Sequence, residues 1–222
     1  MLGGLAVAGS AHLTQLEQLA EIGGKTIVDV GCGGGGFLLE LACRGVHAIG
    51  VEIDDAVVQR ARATVGSAAE IRLGRAEALP VGSGEADLVC FMMSLHHVPS
   101  SVHAGAIAEA ARALKRGGRL HVVEPRPFGP LTTVLEPIED ERRVRTETHL
   151  FLTSLASNEL RLAAECEYAL ARVFRDPEAL IDHAVSVEPG RRARSREAEV
   201  RAEVTRRFWA CARTSDAGPV LE

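Results

Sequence analysis

Residues 27–40 read IVDVGCGGGGFLLE, with five glycines among the six positions from 31 to 36. A short β-branched run enters this loop and a helix-like run leaves it. Backbone N–H groups at such a helix start, unobstructed by side chains, form a cradle for a nucleotide-like ligand. The residues around the glycines decide which ligand the cradle suits.

Outward from the loop, KTIVDV (25–30) is apolar without alternation, as expected for a strand buried on both faces of a parallel sheet. Before it, Leu13, Leu16, Leu19 and Ile22 stand at helical spacing over residues 12–22, and Gly23 and Gly24 end the pattern. After it, residues 37–45 read as a helix stopped by Gly45 and 46–53 as a strand. Residues 55–65 read as a helix capped by Asp54 or Asp55. Further strands fall at 70–76, 86–93 and 119–125, with the turn SLHHVPSS after the fourth strand and a helix over 101–114 before the fifth. Five strands alternating with helices predict a doubly wound α/β sheet.

Residues 126–222 differ, being richer in arginine and glutamate. Their patterns predict helices over 146–166, 177–185 and 195–208 and an antiparallel edge strand within 168–176. RFWACARTSDAGPVLE (207–222) opens a last strand, which is either short or lacks its usual end. The chain reads as one domain, 1–222: a cofactor-binding core over 1–125, and a part over 126–222 that completes the sheet and covers the substrate side.

With 222 residues the chain is long enough for one domain with a real core. Its net charge of −5 argues against general nucleic-acid binding, which favours a basic surface. The arginine clusters ERRVR (141–145) and GRRARSR (190–196) are read as solvated faces rather than an anion or RNA site. Eight aromatic residues are too few for a base-stacking platform. Apolar stretches are too short for a membrane span, and the apolar residues 1–13 lack the positive start of a signal peptide. The five cysteines are odd in number and show no C-x-x-C pair, so no metal is expected and a reducing, cytoplasmic setting is.

Three ligands compete for the glycine loop. A triphosphate loop needs a lysine after its glycines, and Phe37 follows Gly36 here. The dinucleotide pattern matches at Gly31, Gly33 and Gly36, with Glu52 downstream. Against it stands Asp29, whose carboxylate would meet a pyrophosphate with like charge. S-adenosylmethionine carries no phosphate but a sulfonium and an ammonium, which a carboxylate attracts. Glu52, ending the second strand, is placed to accept both ribose hydroxyls. The plain alternative makes Asp29 a helix cap and Glu52 a surface residue.

Residues 27–124 resemble the class I S-adenosylmethionine-dependent methyltransferases, especially the small-molecule group called type 11. VDVGCGGG resembles the family's first motif and IGVEID its second, and GRAEALPVGSGEADLV resembles its adenine-side loop and fourth strand. SLHHVP and ARALKRGGRLHVVEP resemble the segments that follow. The resemblance implies a Rossmann-like, mostly parallel seven-stranded sheet with helices on both faces. It also implies methyl transfer by in-line displacement, with S-adenosylhomocysteine as product. It places Asp29, Gly31 and Gly33 around the methionine moiety, Glu52 at the ribose and Ile53 beside the adenine, with Gly35 also among the cofactor-binding residues. Arg75, Ala76 and Glu77 fall in the adenine-side loop, and Phe91 near the methionine end. At Arg75 the family usually carries an aspartate that accepts from the adenine amino group. Arginine cannot accept, so Glu77, a backbone carbonyl or stacking by Arg75 replaces that contact.

The family has no universal catalytic residue, because the methyl group is already activated. His96 and His97 are the candidates for a base, since they follow the fourth strand at the sheet's ligand-binding edge. Glu124, ending the fifth strand, is similarly placed. The bland readings are packing, turn capping and a surface carboxylate. FMMSLHHVP is unlike the N-P-P-Y motif of amino methyltransferases, and the cysteines do not suggest the arsenic-methylating set. The expected partner is a small-molecule methyl acceptor, with no membrane and with a homodimer left open. The competing functions are an NAD(P)-dependent oxidoreductase and a non-catalytic protein of the methyltransferase fold, the latter resting on Arg75.

Overall fold

The computed structural model describes residues 6–155 and 160–221, which form two compact units. The first comprises residues up to 125 with 147–165; the second comprises 126–146 and 166 onward. Residues 1–5 and 156–159, which carry parts of the expected N-terminal apolar run and of the 146–166 helix, lie outside the described residues.

The first unit runs α1 (Ala6–Leu19), β1 (Thr26–Val30), α2 (Gly36–Ala42), β2 (His47–Glu52), α3 (Asp55–Val65), β3 (Glu70–Leu73), β4 (Ala86–Met92), α4 (His103–Ala113) and β5 (Leu114–Val123). The strands order as β3-β2-β1-β4-β5, and every neighbouring pair is parallel. Parallel strands bury both faces, and alternate residues divide between two cores. Ile27, Ala48, Leu88 and Cys90 join Leu13 and Leu16 of α1, Leu38 and Leu41 of α2, and Val58, Ala61 and Val65 of α3. Val28, Val30, Ile49, Val51, Val89 and Phe91 join Ala106, Ile107 and Ala110 of α4. Each large apolar side chain so buried contributes about 1.5–3 kcal/mol. Asp54 is the cap of α3, its Oδ1 accepting from the Val57 amide at 3.0 Å.

The remaining elements are α5 (Pro130–Leu135), α6 (Arg142–Ser154), β6 (Arg172–Val173), α7 (Pro177–Val187), α8 (Ala198–Cys211), β7 (Arg213–Ser215) and β8 (Gly218–Leu221). Val134, Ile138, Leu180, Ile181, Val204 and Phe208 form the core of the second unit. The clustered arginines are tied to carboxylates within that unit. Arg142 meets Asp140 at 2.7 Å, and Arg191 meets Glu139 at 2.6 Å and Glu141 at 2.8 Å. Arg145 also pairs with Glu141. The expected solvated faces hold for Arg142, which is half-exposed, but Arg145 and Arg191 are largely buried against Glu141, because paired carboxylates let their charges leave water.

Two expectations are corrected. Among the described residues the main sheet has five strands rather than seven, the last strands being those the sequence leaves open; β6, β8 and β7 form a separate three-stranded antiparallel sheet. β7 and β8 are joined by a turn of two residues, and closing so short a loop costs less entropy than pairing with a distant strand. The helix expected to run to 166 ends at Ser154. Leu155 and Leu160 are partly buried against the second core of the first unit, and residues 161–167 are exposed outside any helix.

Candidate functional site

The carboxyl ends of parallel strands share one edge, so β1, β2, β4 and β5 deliver their last residues to the same place. Asp29, paired in register with Gly50 and Cys90, is 2% exposed there. Its Oδ1 is buried with no hydrogen-bond partner. Burial first, and the Glu52 charge second, push its carboxyl up to about 7. The nearby Cys32 and Cys90 thiols are raised by burial above all and by this carboxylate, which keeps them inert.

The loop after Asp29 is anchored by its backbone. The Gly31 and Cys32 amides donate to the Val51 carbonyl at 2.8 and 3.1 Å. Gly31 has φ +74°, and a Cβ there would lie 2.7 Å from Cβ of Ser94. Gly35 caps α2 at φ +81°, and its Cβ would lie 2.6 Å from Cγ1 of Val65. Around Gly33 and Gly34 a Cβ would meet nothing within 4 Å. The open side of the loop is therefore at Gly33 and Gly34. Gly35, expected among the cofactor-binding residues, has its Cβ side closed by packing against α3.

Glu52 closes the loop from the second strand. Its Oε2 accepts from the Gly33 amide at 3.0 Å, and its Oε1 accepts from the Ile53 and Asp54 amides at 2.8 and 3.2 Å. A carboxylate offers about four acceptor sites, and three are used. In this arrangement Glu52 retains capacity for one hydroxyl, on Oε2, rather than the two expected. It is also a clamp on the loop. Glu52→Gln should therefore weaken adenosyl binding about tenfold, through loss of a charge-assisted contact, and lower stability by about 1 kcal/mol. Titration calorimetry and urea melts check the two effects separately.

The other expected contacts divide. Ile53 is 58% exposed beside Glu52 and offers an apolar surface. Arg75 is exposed and bonds Glu77 at 2.5 Å, which holds the Glu77 carboxyl below its usual range. Its guanidinium is thus neutralised by a neighbour rather than filling a buried pocket, and the ground for a blocked, non-catalytic site goes with it. Ala76 is half-buried against the second core. Phe91, expected near the methionine end, is fully buried in that core, which corrects its side chain to a packing role.

Beyond β4 the chain is held from several sides. Met93 has φ +57°, among the described residues the only positive value outside glycine. Its amide donates to the Val123 carbonyl at 2.7 Å, and Ser94 Oγ donates to the Val30 carbonyl at 2.6 Å. Glu124 Oε1 accepts from the Leu95 amide at 2.8 Å, and its Oε2 lies 2.5 Å from Nδ1 of His96. Both side chains of that pair are buried, at 3% and 2% exposure. His97 is exposed, with its ring centroid 4.1 Å from that of His96. Ser94 and Met93 had no signature of their own in the sequence; only strand register brings them to the loop.

A parallel five-stranded sheet with helices on both faces, a glycine loop after β1 and carboxylates ending β1 and β2 define a class of protein. Residues 28–122 match the family model described as a methyltransferase domain. Residues 28–122 are thus similar to a methyltransferase domain, and the class I S-adenosylmethionine-dependent family is the one the match supports. An uncharacterised methyltransferase of Synechocystis is 34% identical over 113 residues, covering 51% of this chain and 53% of that one. A ubiquinone biosynthesis O-methyltransferase of Hahella chejuensis is 35% identical over 113 residues, covering 49% and 47%. The chain thus spans about half the length of the curated relatives it matches. The crystal structure of the YcgJ protein from Bacillus subtilis superposes with a TM-score of 0.62, covering 96% of this chain and 94% of that one at 19% identity, a likeness of fold. Among the described residues no helix is long and apolar enough to cross a membrane.

Proposed function

We propose that the chain binds S-adenosylmethionine at the glycine loop and transfers its methyl group to a small-molecule acceptor. The observation that carries this reading is the buried Asp29 oxygen without a partner, beside a loop open at Gly33 and Gly34. A buried carboxylate without a donor is costly, and a ligand cation supplies the missing partner. The same charge repels a pyrophosphate, which disfavours the dinucleotide reading.

Asp29 holds the cationic methionine moiety, Glu52 accepts a ribose hydroxyl while clamping the loop, and Ile53 lies beside the adenine. Bound there, S-adenosylmethionine supplies a methyl group already activated by the sulfonium. The chain's own task is then to align an acceptor and exclude water. The turn over residues 93–97, held to β1 and β5 by the bonds above, is the wall on the acceptor side. Relatives named for ubiquinone biosynthesis support a small-molecule acceptor.

Titration calorimetry with S-adenosylmethionine and S-adenosylhomocysteine tests the reading. Binding of both in the micromolar range is expected. Absence of heat at millimolar ligand, with the protein folded, would sink it.

A further inference from the structure

β1, β4 and β5 begin at Thr26, Ala86 and Leu114, so their amino ends lie at the edge of the sheet opposite Asp29 and Glu52. A cavity of about 350 Å³ opens at that edge, lined entirely by residues of the first unit. Small-molecule sites occupy roughly 300–1,000 Å³, so its size suits a small ligand. We infer that it binds a small organic anion, a carboxylate or a phosphate monoester with an apolar body.

The lining sets charge above an apolar floor. Ile22, Ile27 and Leu88 are the buried floor. Lys25, Lys115, Arg116 and Arg119 bring four positive charges, and Glu21 and Asp87 bring two negative ones. Four less two leaves a surplus of two, in a chain whose net charge is −5.

Structural duties account for part of this. Asp87 Oδ2 accepts from Lys115 Nζ at 2.7 Å and from the Thr26 amide at 2.9 Å, which holds its carboxyl below the usual range. Arg119 donates to the Leu19 carbonyl at the end of α1. A helix end carries about half a negative charge, and α1 and α4 both end at this edge, which offsets about one of the two surplus charges. Positive charge still remains. Among the described residues, Lys25 and Arg116 meet no carboxylate within ion-pair distance.

The backbone presents Arg116 to the cavity. The pairing of β4 with β5 passes from Ala86–Leu114 to Leu88–Arg119, so Asp87 alone faces residues 115–118. Such an interruption ends the ladder locally and re-aims side chains. At Gly117, with φ +78°, a Cβ would meet nothing within 4 Å, which leaves that part of the lining open. The guanidinium of Arg116 is a planar fork matched to the two oxygens of a carboxylate or phosphate. The floor then takes the ligand's apolar body.

Benzoate, phenyl phosphate and inorganic phosphate test it, titrated at constant ionic strength held with chloride. Benzoate or phenyl phosphate should bind saturably in the millimolar range, shift the amide NMR signals of residues 25–27 and 115–119, and raise the melting temperature. Binding by benzoate identifies a carboxylate site and binding by phenyl phosphate a phosphate monoester site; either supports the inference. Inorganic phosphate, without an apolar body, should bind more weakly. Arg116→Gln should weaken binding about tenfold, and Lys25→Gln with Arg116→Gln should abolish saturation. Both variants should melt as the wild type does in chloride alone. No binding above the chloride control, binding retained by the double variant, or equal affinity for inorganic and phenyl phosphate overturns the inference. Displacement of the anion by S-adenosylhomocysteine would place it at the glycine loop and overturn it too. Failure to bind S-adenosylhomocysteine at all would instead remove the methyltransferase reading and leave this site standing.

Discussion

Asp29→Asn is expected to make the ligand-free protein more stable and to remove most of its affinity for S-adenosylmethionine. The carboxyl of Asp29 titrates at about 7 in the fold against an ordinary value of 3.8. Between those values the folded state binds more protons than the unfolded one. Stability contributed by this group is therefore highest below about pH 4 and falls as pH rises to 7. About three pH units correspond to roughly 4 kcal/mol lost above pH 7. The asparagine amide strands a buried polar group of its own, at about 1–3 kcal/mol. The net gain at pH 8 is then about 1–3 kcal/mol, and at pH 5, where Asp29 is already neutral, it vanishes. Urea melts of both proteins at the two pH values measure the difference. A variant destabilised equally at both would show that the carboxylate carries no such strain.

The same group sets the ligand's pH dependence. A cation binds the ionised form, so below pH 7 each unit of acid should weaken binding to the wild type by up to tenfold as the proton is displaced. The asparagine variant loses about 1.5–3 kcal/mol of charge-assisted bonding, roughly ten- to a hundredfold or more, and its residual affinity should not vary over that range. Stability gained and binding lost in one substitution would mark Asp29 as a residue kept for its ligand rather than for the fold.

Much of this was legible along the chain because it depended on near neighbours. Residues 55–65 form α3 as expected, since an Asp54 cap, an apolar face at Val58, Ala61 and Val65 and the Gly66 stop all act within a few residues. Asp29 could be singled out because charge beside a glycine loop means the same in any fold. The packing of Phe91 in the core and of Gly35 on Val65 was not legible, because both depend on what lies across from them in the fold. The Glu124–His96 contact was likewise hidden. Both residues were recognised as sitting at strand ends, but 28 positions apart, and only the β4–β5 register makes them partners. Strands within 168–176 and 207–222 were expected, but as part of the main sheet; runs of two to four residues carry too little periodic signal to show that they pair with one another instead.

Alanine placed at Gly34 and at Gly35 should separate the two jobs of the loop. At Gly35 the backbone stands at φ +81°, which costs a residue with a Cβ about 1–2 kcal/mol. The new Cβ would also press on Val65 Cγ1 at 2.6 Å, in a place where overpacking costs about 1–3 kcal/mol. Gly35→Ala should therefore lower stability by about 2–5 kcal/mol. In a Val65→Ala background only the backbone part should remain, so a double-mutant cycle isolates the steric share. At Gly34 no neighbour stands within 4 Å of the added carbon, and stability should stay within about 0.5 kcal/mol of the wild type. If the open side of the loop is where the ligand lies, that methyl group takes its space, and affinity for S-adenosylhomocysteine should fall about tenfold or more with the melting curve unmoved. Unchanged affinity for Gly34→Ala would move the ligand away from that side of the loop, and an undiminished cost for Gly35→Ala without Val65 would make backbone strain the whole of the effect.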